Sequence, residues 1–177
     1  MIQSADKPVN LIETLGNNPV HQLSHYLDTN DTTEEDSSDS LLVPAKYINA
    51  CKNFRHDLVS PSDSYSSTFT KAYGSHHIIG SGSLLITQSG IHSHSIGKDD
   101  NEAVLASKPR FFSPWEVARL HGFPLANGEN SSERNQSVLS FPKGITRQQQ
   151  WKLLGNSLNV TVVAHLLERM FKQGTDE

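Results

Sequence analysis

The segment that most constrains the fold of this chain is its last apolar stretch, Leu158 to Lys172. On a helical wheel, its apolar side chains cover an arc of roughly 200°, whereas a surface helix usually shows a stripe of about 100°. A helix of this kind has to lie against a sheet or between other elements. The side chains on the arc are Val160, Val162, Val163, Ala164, Leu166, Leu167, Met170 and Phe171.

Leaving this arc in water is costly. At ~1.5–3 kcal/mol per large side chain, exposing about six of them forfeits on the order of 10 kcal/mol. That loss is comparable to the ~5–15 kcal/mol stability of a whole domain. The strands that the sequence predicts upstream, 68–74 and 78–86, are few and short. We therefore expect the helix to pack on a sheet that this chain does not supply.

The 177 residues suit one domain with a small appendage, and their charge is uneven. Residues 28–40 hold six acids and no apolar side chain, which predicts a disordered acidic loop. Residues 108–172 hold nine Lys or Arg against four Asp or Glu, although the whole chain has a net charge of −4. A basic surface of this kind is compatible with a phosphate backbone as partner, or with an ordinary solvated face.

Several classes of protein are excluded. No apolar run approaches the ~18–20 residues that span a bilayer, so we expect no membrane association. The single cysteine, Cys51, excludes an internal disulfide and a zinc site made of cysteines alone, and a packed thiol is its expected role. His76-His77 and His92-Ser93-His94 fit solvated loops better than a metal site. The predicted location is the cytoplasm, the nucleus or both.

The chain also carries local signals for its elements. Residues 41–58 look helical, 60–67 form a loop, and 87–107 read as a flexible connection. Ser113-Pro114-Trp115-Glu116 is a capping box with proline at the first helical position, and Gly122 ends that helix. Thr146 caps a further helix through Leu154, and residues 155–157 form a turn before the last helix.

Two segments of the C-terminal part carry a family resemblance. Arg110 to Pro124, with the sequence RFFSPWEVARLHGFP, looks like the ninth motif of cytosine-C5 methyltransferases, and Leu153 to Leu167, with LLGNSLNVTVVAHLL, looks like the tenth. The sequence Gly-Asn-Ser-Leu-Asn-Val (155–160) and the segment FTKAYG (69–74) resemble the tRNA-aspartate methyltransferase branch. Where that branch usually has a cysteine before Phe-Thr, this chain has Thr68.

The resemblance implies an α+β fold in two regions. Residues 1–107 would be a target-recognition region of short strands and helices, and 108–177 a helical segment carrying the two motifs. In the family, the last helix packs back on a Rossmann-like domain that binds S-adenosylmethionine, which would account for the wide apolar arc.

The family's reacting groups have no counterpart in this sequence. It contains no Pro-Cys nucleophile, no Glu-Asn-Val and no Arg-x-Arg. The resemblance thus implies the C-terminal part of an enzyme that methylates an anticodon-loop cytosine of tRNA-Asp, with DNA open as a substrate. This part alone is expected to be inactive and to need an N-terminal catalytic domain. Two alternatives stay open: a non-catalytic tRNA-binding or regulatory module, and a truncated product without a role of its own.

The resemblance also assigns residues. Asn156 and Ser157 match positions that reach the methionine end of the cofactor, and helix capping is the simpler alternative for Ser157. Phe69, Lys71 and Tyr73 would share one face of a strand, where aromatic rings and a cation suit unpaired bases and phosphate. A half-buried edge strand is the alternative. Thr70 and Arg110 complete the predicted nucleic-acid set, although Arg110 suits organising the catalytic loop or the domain junction better than contacting a base.

Overall fold

The computed structural model describes residues 20–28, 38–125 and 139–173. These ranges contain helices and a small sheet, in agreement with the predicted mixture of α and β structure. The helices are α1 (Ala45–Ala50), α2 (Asn101–Ala106), α3 (Pro114–Leu120), α4 (Arg147–Leu154) and α5 (Val160–Gln173), and the strands are β1 (Leu58–Val59), β2 (Leu84–Ile86) and β3 (Pro109–Arg110). Short 3-10 helices occupy Leu23–Tyr26, Ser38–Leu41 and Ser93–Ser95. Most of the predicted acidic loop, residues 29–37, lies outside the described residues.

The three strands form one sheet in the order β1-β2-β3. β1 runs parallel to β2, with Leu58 opposite Leu84, and β3 runs antiparallel to β2, with Arg110 opposite Leu85. Every strand residue is buried. Because the sheet is covered on both faces, its strands do not alternate apolar and polar residues as a half-exposed strand does. Because β3 pairs with β2, the two predicted regions share one hydrophobic core.

The helix predicted over 41–58 is wrong in its extent. α1 ends at Ala50, Cys51 is extended (φ −86°, ψ 116°), and Asn53 has φ 55°. Asparagine tolerates this left-handed conformation better than most residues, and it turns the chain toward β1. The helix therefore does not continue to Leu58, which pairs with Leu84 of β2 instead.

The strand predicted over 68–74 is also wrong, since these residues form tight turns. The amide of Tyr73 donates to the carbonyl of Thr70 (2.9 Å), and that of Ser75 donates to Ala72 (3.2 Å). Gly74 follows with φ +76°. In the same way, the strand predicted over 78–86 shortens to β2, because Gly80 (φ 64°) and Gly82 (φ 144°) adopt conformations that no strand continues through.

The connection predicted over 87–107 contains regular structure. Its main element is α2, whose N-cap is Asp100: the carboxylate accepts a hydrogen bond from the amide of Ala103 (3.0 Å). An N-cap of this type satisfies one of the four amides left free at a helix start. Because the segment is rich in Ser, His and Gly, its composition did not indicate this short helix.

The helix starts predicted for α3 and α4 are confirmed. Ser113 accepts from the amide of Glu116 (3.1 Å) while Glu116 accepts from the amide of Ser113 (2.7 Å). Thr146 and Gln149 form the same reciprocal pair at α4. Gly122, with φ +73°, follows the C-terminal end of α3 as predicted.

The core has an aromatic centre around Tyr73. Its ring lies edge-on to those of Phe69 (4.9 Å between centroids), Phe111 (5.3 Å) and Trp151 (5.7 Å). Its hydroxyl donates to the carbonyl of Ser83 (2.7 Å) and accepts from the amide of Phe112 (2.8 Å). Burial raises the pKa of Tyr73 far above its usual range, so the phenol stays protonated.

Candidate functional site

The turn between α4 and α5 is held against residues 70–71 by close backbone contact. A Cβ on Gly155 would lie only 2.2 Å from the carbonyl carbon of Thr70 and 2.4 Å from the amide nitrogen of Lys71. Gly155 itself has an ordinary φ of −68°. Glycine is therefore required here because two backbones meet, and this contact fixes the turn relative to Thr70.

The hydroxyl of Ser157 has two partners, Leu154 at the start of the turn and His121 at the end of α3. It donates to the carbonyl of Leu154 (2.6 Å), and Nδ1 of His121 lies 3.2 Å from it. Since its one proton points to Leu154, His121 donates through Nδ1–H, and a lone pair of the hydroxyl stays available to a ligand. Burial lowers the pKa of His121, which favours the neutral ring.

The capping alternative for Ser157 is wrong. The side chain that caps α5 is Asn159, whose Oδ1 accepts from the amide of Val162 (3.0 Å). Nδ2 of Asn159 donates to the carbonyl of Leu120 (3.1 Å), and the amide of Val160 donates to the carbonyl of His121 (2.8 Å). The first turn of α5 is thereby attached to the end of α3.

A cleft of about 350 Å³ opens between these elements. One wall is the segment that precedes the Tyr73 turn, and the opposite wall is the turn after α4. The end of α3 closes the third side. Residues that line the cleft include Thr68, Phe69, Thr70, His121, Ser157 and Asn159. The structure thus brings Thr70 of the predicted nucleic-acid set and Ser157 of the predicted cofactor pair to one cavity.

Two of the predicted nucleic-acid residues belong to the core instead. Phe69 and Tyr73 are only 4% and 1% exposed, so neither ring presents an open face on which a base could stack, although part of Phe69 lines the cleft. The prediction of a shared exposed face is wrong because residues 69–73 turn rather than extend. Lys71 is exposed and Thr70 is half-buried, and a nucleic-acid role for these two stays a prediction.

Arg110 is likewise turned inward. Its guanidinium forms a two-pronged ion pair with Glu116, at 2.7 and 2.8 Å, and also donates to the carbonyl of Phe111 (2.8 Å). Burial disfavours the charge, but the hydrogen bonds and charge of Glu116 more than offset this and raise the pKa of Arg110. In this conformation Arg110 joins β3 to the start of α3 and presents no free donor face to a base, which corrects its place in the nucleic-acid set.

The apolar arc of α5 is largely exposed. Met170 is 68% and Phe171 73% exposed, and Leu166 and Leu167 are each 46% exposed. Asn156, the other predicted cofactor residue, is exposed beside this helix and does not line the cleft. Within the described ranges, α5 therefore has a docked N-terminal turn and an apolar face without cover.

The remaining polar candidates are simpler. Cys51 is buried and its thiol donates to the carbonyl of Tyr47 (3.3 Å), as expected for a packed cysteine, and burial raises the pKa of that thiol. Among the residues that the structure describes, no group of three or more His, Cys, Asp or Glu could hold a metal ion. None of the described helices is both long enough and apolar enough to cross a membrane.

With this geometry in view, the comparison with known families is decisive. A family model for the C-5 cytosine-specific DNA methylase matches residues 5–172. The chain belongs to the C-5 cytosine-specific DNA methylase family. The match takes in both predicted motifs, and it also takes in residues 69–74, which pack against them.

Members of this family from several organisms resemble the chain. It is 38% identical over 124 residues to the human tRNA (cytosine(38)-C(5))-methyltransferase, an alignment that covers 66% of this chain and 28% of that protein. It is 31% identical over 147 residues to a DNA (cytosine-5)-methyltransferase of Dictyostelium discoideum, covering 83% and 34%. The crystal structure of the S. pombe Dnmt2 methyltransferase superposes with a TM-score of 0.63 at 28% identity, over 90% of this chain and 43% of that one. The chain thus spans about a third of the length of these curated relatives.

Sequence reasoning missed three residues of the site. His121 lies within the ninth motif and Asn159 within the tenth, but nothing in the pattern indicated a hydrogen bond from one to Ser157 or a helix cap in the other. For Gly155 the sequence predicts only a place in the turn at 155–157. A glycine whose φ is ordinary gives no local signal that another backbone lies against it.

Proposed function

We propose that this chain is the target-recognition and cofactor-closing part of a cytosine-C5 methyltransferase that acts on an anticodon-loop cytosine of tRNA-Asp. One observation carries the proposal: the family's tenth-motif turn faces Phe69 and Thr70, the first residues of the tRNA-branch segment, across a single cleft. A cytosine and a methyl donor have to meet in such an enzyme. An arrangement that brings both recognition elements to one cavity supports this role.

S-adenosylmethionine is the proposed cofactor, and the residues present fit its amino-acid end. The exposed side-chain carboxamide of Asn156 offers both hydrogen-bond donors and an acceptor. The remaining lone pair of the Ser157 hydroxyl suits the ammonium group of the cofactor. The half-buried His121 ring closes the cavity behind Ser157. When bound, the cofactor supplies the electrophilic methyl group. This chain's part is to hold the end of the cofactor that does not react.

Lys71 and Thr70 are the proposed contacts to nucleic acid. Lys71 is exposed directly beside Thr70, which lines the cleft. A lysine at that edge suits a phosphate next to a base that enters the cavity. The human relative's name supports tRNA, whereas the Dictyostelium relative is named for DNA, so single-stranded DNA is the comparison substrate.

The apolar face of α5 is proposed to pack on a Rossmann-like domain that carries the reacting groups. Its exposed Met170 and Phe171 are the side chains that such a domain would bury. On this proposal, the chain alone transfers no methyl group. The proposed site of action is the cytoplasm, the nucleus or both, where tRNA is found.

The experiment is tRNA binding by the isolated chain over a range of salt concentrations. We expect affinity for a tRNA-Asp transcript to fall as salt rises, and Lys71→Ala to weaken binding and reduce that slope. Lys52→Ala, at another exposed lysine, is the matched control and should change neither. Binding that ignores salt, or that prefers single-stranded DNA of the same sequence, would contradict the proposal.

A second candidate function is a non-catalytic tRNA-binding module, which the nine Lys or Arg against four Asp or Glu at residues 108–172 favour. The two are separated by the size of the endogenous protein, measured by immunoblot and intact mass. An added α/β domain of ~150–200 residues predicts a species about twice as large. A species at 19.6 kDa would instead favour the binding module.

A further inference from the structure

A second hollow lies on the other side of the loop that leads into the cleft. It has a volume of about 290 Å³, and Arg55, Asp57 and Tyr65 line it together with Ser93 and His94. We propose that this hollow is a nucleotide pocket, which takes one unpaired nucleotide of the RNA substrate beside the target base. The inference rests on the proposed function for its RNA, but it assigns a site that neither family motif includes.

Tyr65 is the surface on which a base would stack. Its side chain is 61% exposed, which is unusual for so large a ring, and it lies at the rim of a concave site. A π-face of this kind accepts any base, and stacking on an aromatic side chain contributes substantially to single-strand binding. The imidazole of His94 lines the same hollow and is exposed as well.

The charges of the hollow favour a nucleotide over a bare anion. Arg55 is exposed and forms no ion pair with a carboxylate in the described ranges, so its guanidinium is available to a phosphate. Asp57 repels a phosphate but accepts hydrogen bonds from the N–H groups on a base edge. One of its oxygens, Oδ2, already accepts from Ser83 (2.7 Å), which holds the carboxylate in place. The pair therefore suits phosphate at Arg55 and a base edge at Asp57.

Two partly buried hydrogen bonds connect this pocket to the cleft. The amide of Ser67 donates to Oγ of Ser83 (2.7 Å), and the same hydroxyl donates to Asp57. Ser83 is fully buried, and Ser67 lines the cleft. Tyr65 and Ser66, which are adjacent in the chain, line the pocket and the cleft respectively. A nucleotide bound in the pocket is consequently held in a fixed position relative to the cleft, which would set which base of the loop enters it.

The direct test is a titration of the isotope-labelled chain with mononucleotides, followed by NMR. Cytidine and guanosine 5′-monophosphates should shift the signals of residues 55–57, 65 and 93–94, and ribose 5-phosphate, which lacks a base, should not. Tyr65→Ala should abolish these shifts and Tyr65→Phe, which keeps the ring, should preserve them. Equal shifts with ribose 5-phosphate, or shifts confined to other residues, would overturn the pocket.

A second measurement separates this inference from the proposed function. Tyr65→Ala should lower the affinity for a tRNA-Asp transcript by roughly 5- to 150-fold, the range for loss of one stacked base. Ile79→Ala, at another exposed apolar side chain (53% exposed), is the control and should leave affinity unchanged. If the chain binds tRNA and Tyr65→Ala does not change the affinity, the assignment of a nucleotide pocket is wrong and the proposed function stands. If mononucleotides bind the pocket but tRNA does not bind at all, the proposed function is wrong and the pocket stands.

Discussion

Replacing Tyr73 with phenylalanine tests whether the 69–74 segment belongs to the core or to an RNA-binding surface. The substitution keeps the ring and its packing and removes only the hydroxyl. Without it, the buried carbonyl of Ser83 and the buried amide of Phe112 each lose a partner (2.7 and 2.8 Å in the native chain). An unsatisfied buried group costs about 1–3 kcal/mol, so with two such groups we expect Tyr73→Phe to lower the free energy of unfolding by roughly 2–6 kcal/mol.

The assay is urea unfolding followed by tryptophan fluorescence, because the indole of Trp151 lies 5.7 Å from the Tyr73 ring. Tyr65→Phe removes the same hydroxyl from an exposed ring and should change stability by less than about 0.5 kcal/mol. The folded fraction of Tyr73→Phe should bind tRNA as the native chain does. Unchanged stability together with weaker tRNA binding would refute this reasoning and show that Tyr73 belongs to the RNA-binding surface.

Three further substitutions probe the contacts that build the site. Gly155→Ala should destabilise the chain by about 1–3 kcal/mol, since its Cβ would enter the backbone at residues 70–71, whereas Gly97→Ala meets nothing within 4 Å and should be neutral in the same thermal melt. Glu116→Gln breaks the buried pair with Arg110 and should cost about 3–5 kcal/mol in denaturant unfolding. Asn159→Ala removes the cap of α5 and should cost about 0.5–2 kcal/mol, seen as faster amide exchange in its first turn; unchanged exchange would argue against the cap.

The elements that could be predicted are those whose signals are local. The capping boxes at Ser113 and Thr146 depend on residues three positions apart, and both helices begin where these boxes predict. The wide apolar arc of the last helix likewise depends on its own sequence alone. These features need no knowledge of what packs against them.

The sheet and the 69–74 segment could not be predicted in this way. Strands of two or three residues that are buried on both faces carry no alternation, and β1 to β3 are defined only by their pairing. The FTKAYG segment has the aromatic and polar alternation of a strand, yet long-range contacts decide its shape. A Cβ on Gly74 would lie 1.9 Å from the ring of Trp151, a contact over more than seventy residues of chain.

For the site, the resemblance located Ser157 and Thr70 in the chain but not in space. Their meeting across one cleft follows from the approach of Gly155 to the backbone of residues 70–71, which no local pattern encodes. The contact with Gly155 also explains how the segment 69–74 contributes to the cleft although two of its aromatic rings are buried. We infer that Phe69 and Tyr73 position Thr70 and Lys71 instead of stacking on a base themselves.

The measurement that tests the central claim most directly is transfer of labelled methyl from S-adenosylmethionine to tRNA-Asp, with this chain alone and mixed with the catalytic portion of the human relative. The account predicts no transfer by the chain alone and transfer by the mixture. Phe171→Asp, on the exposed apolar face of α5, should abolish transfer by the mixture, whereas Lys172→Ala on its polar face should not. Transfer by the chain alone, a mixture without activity, or a mixture insensitive to Phe171→Asp would contradict it.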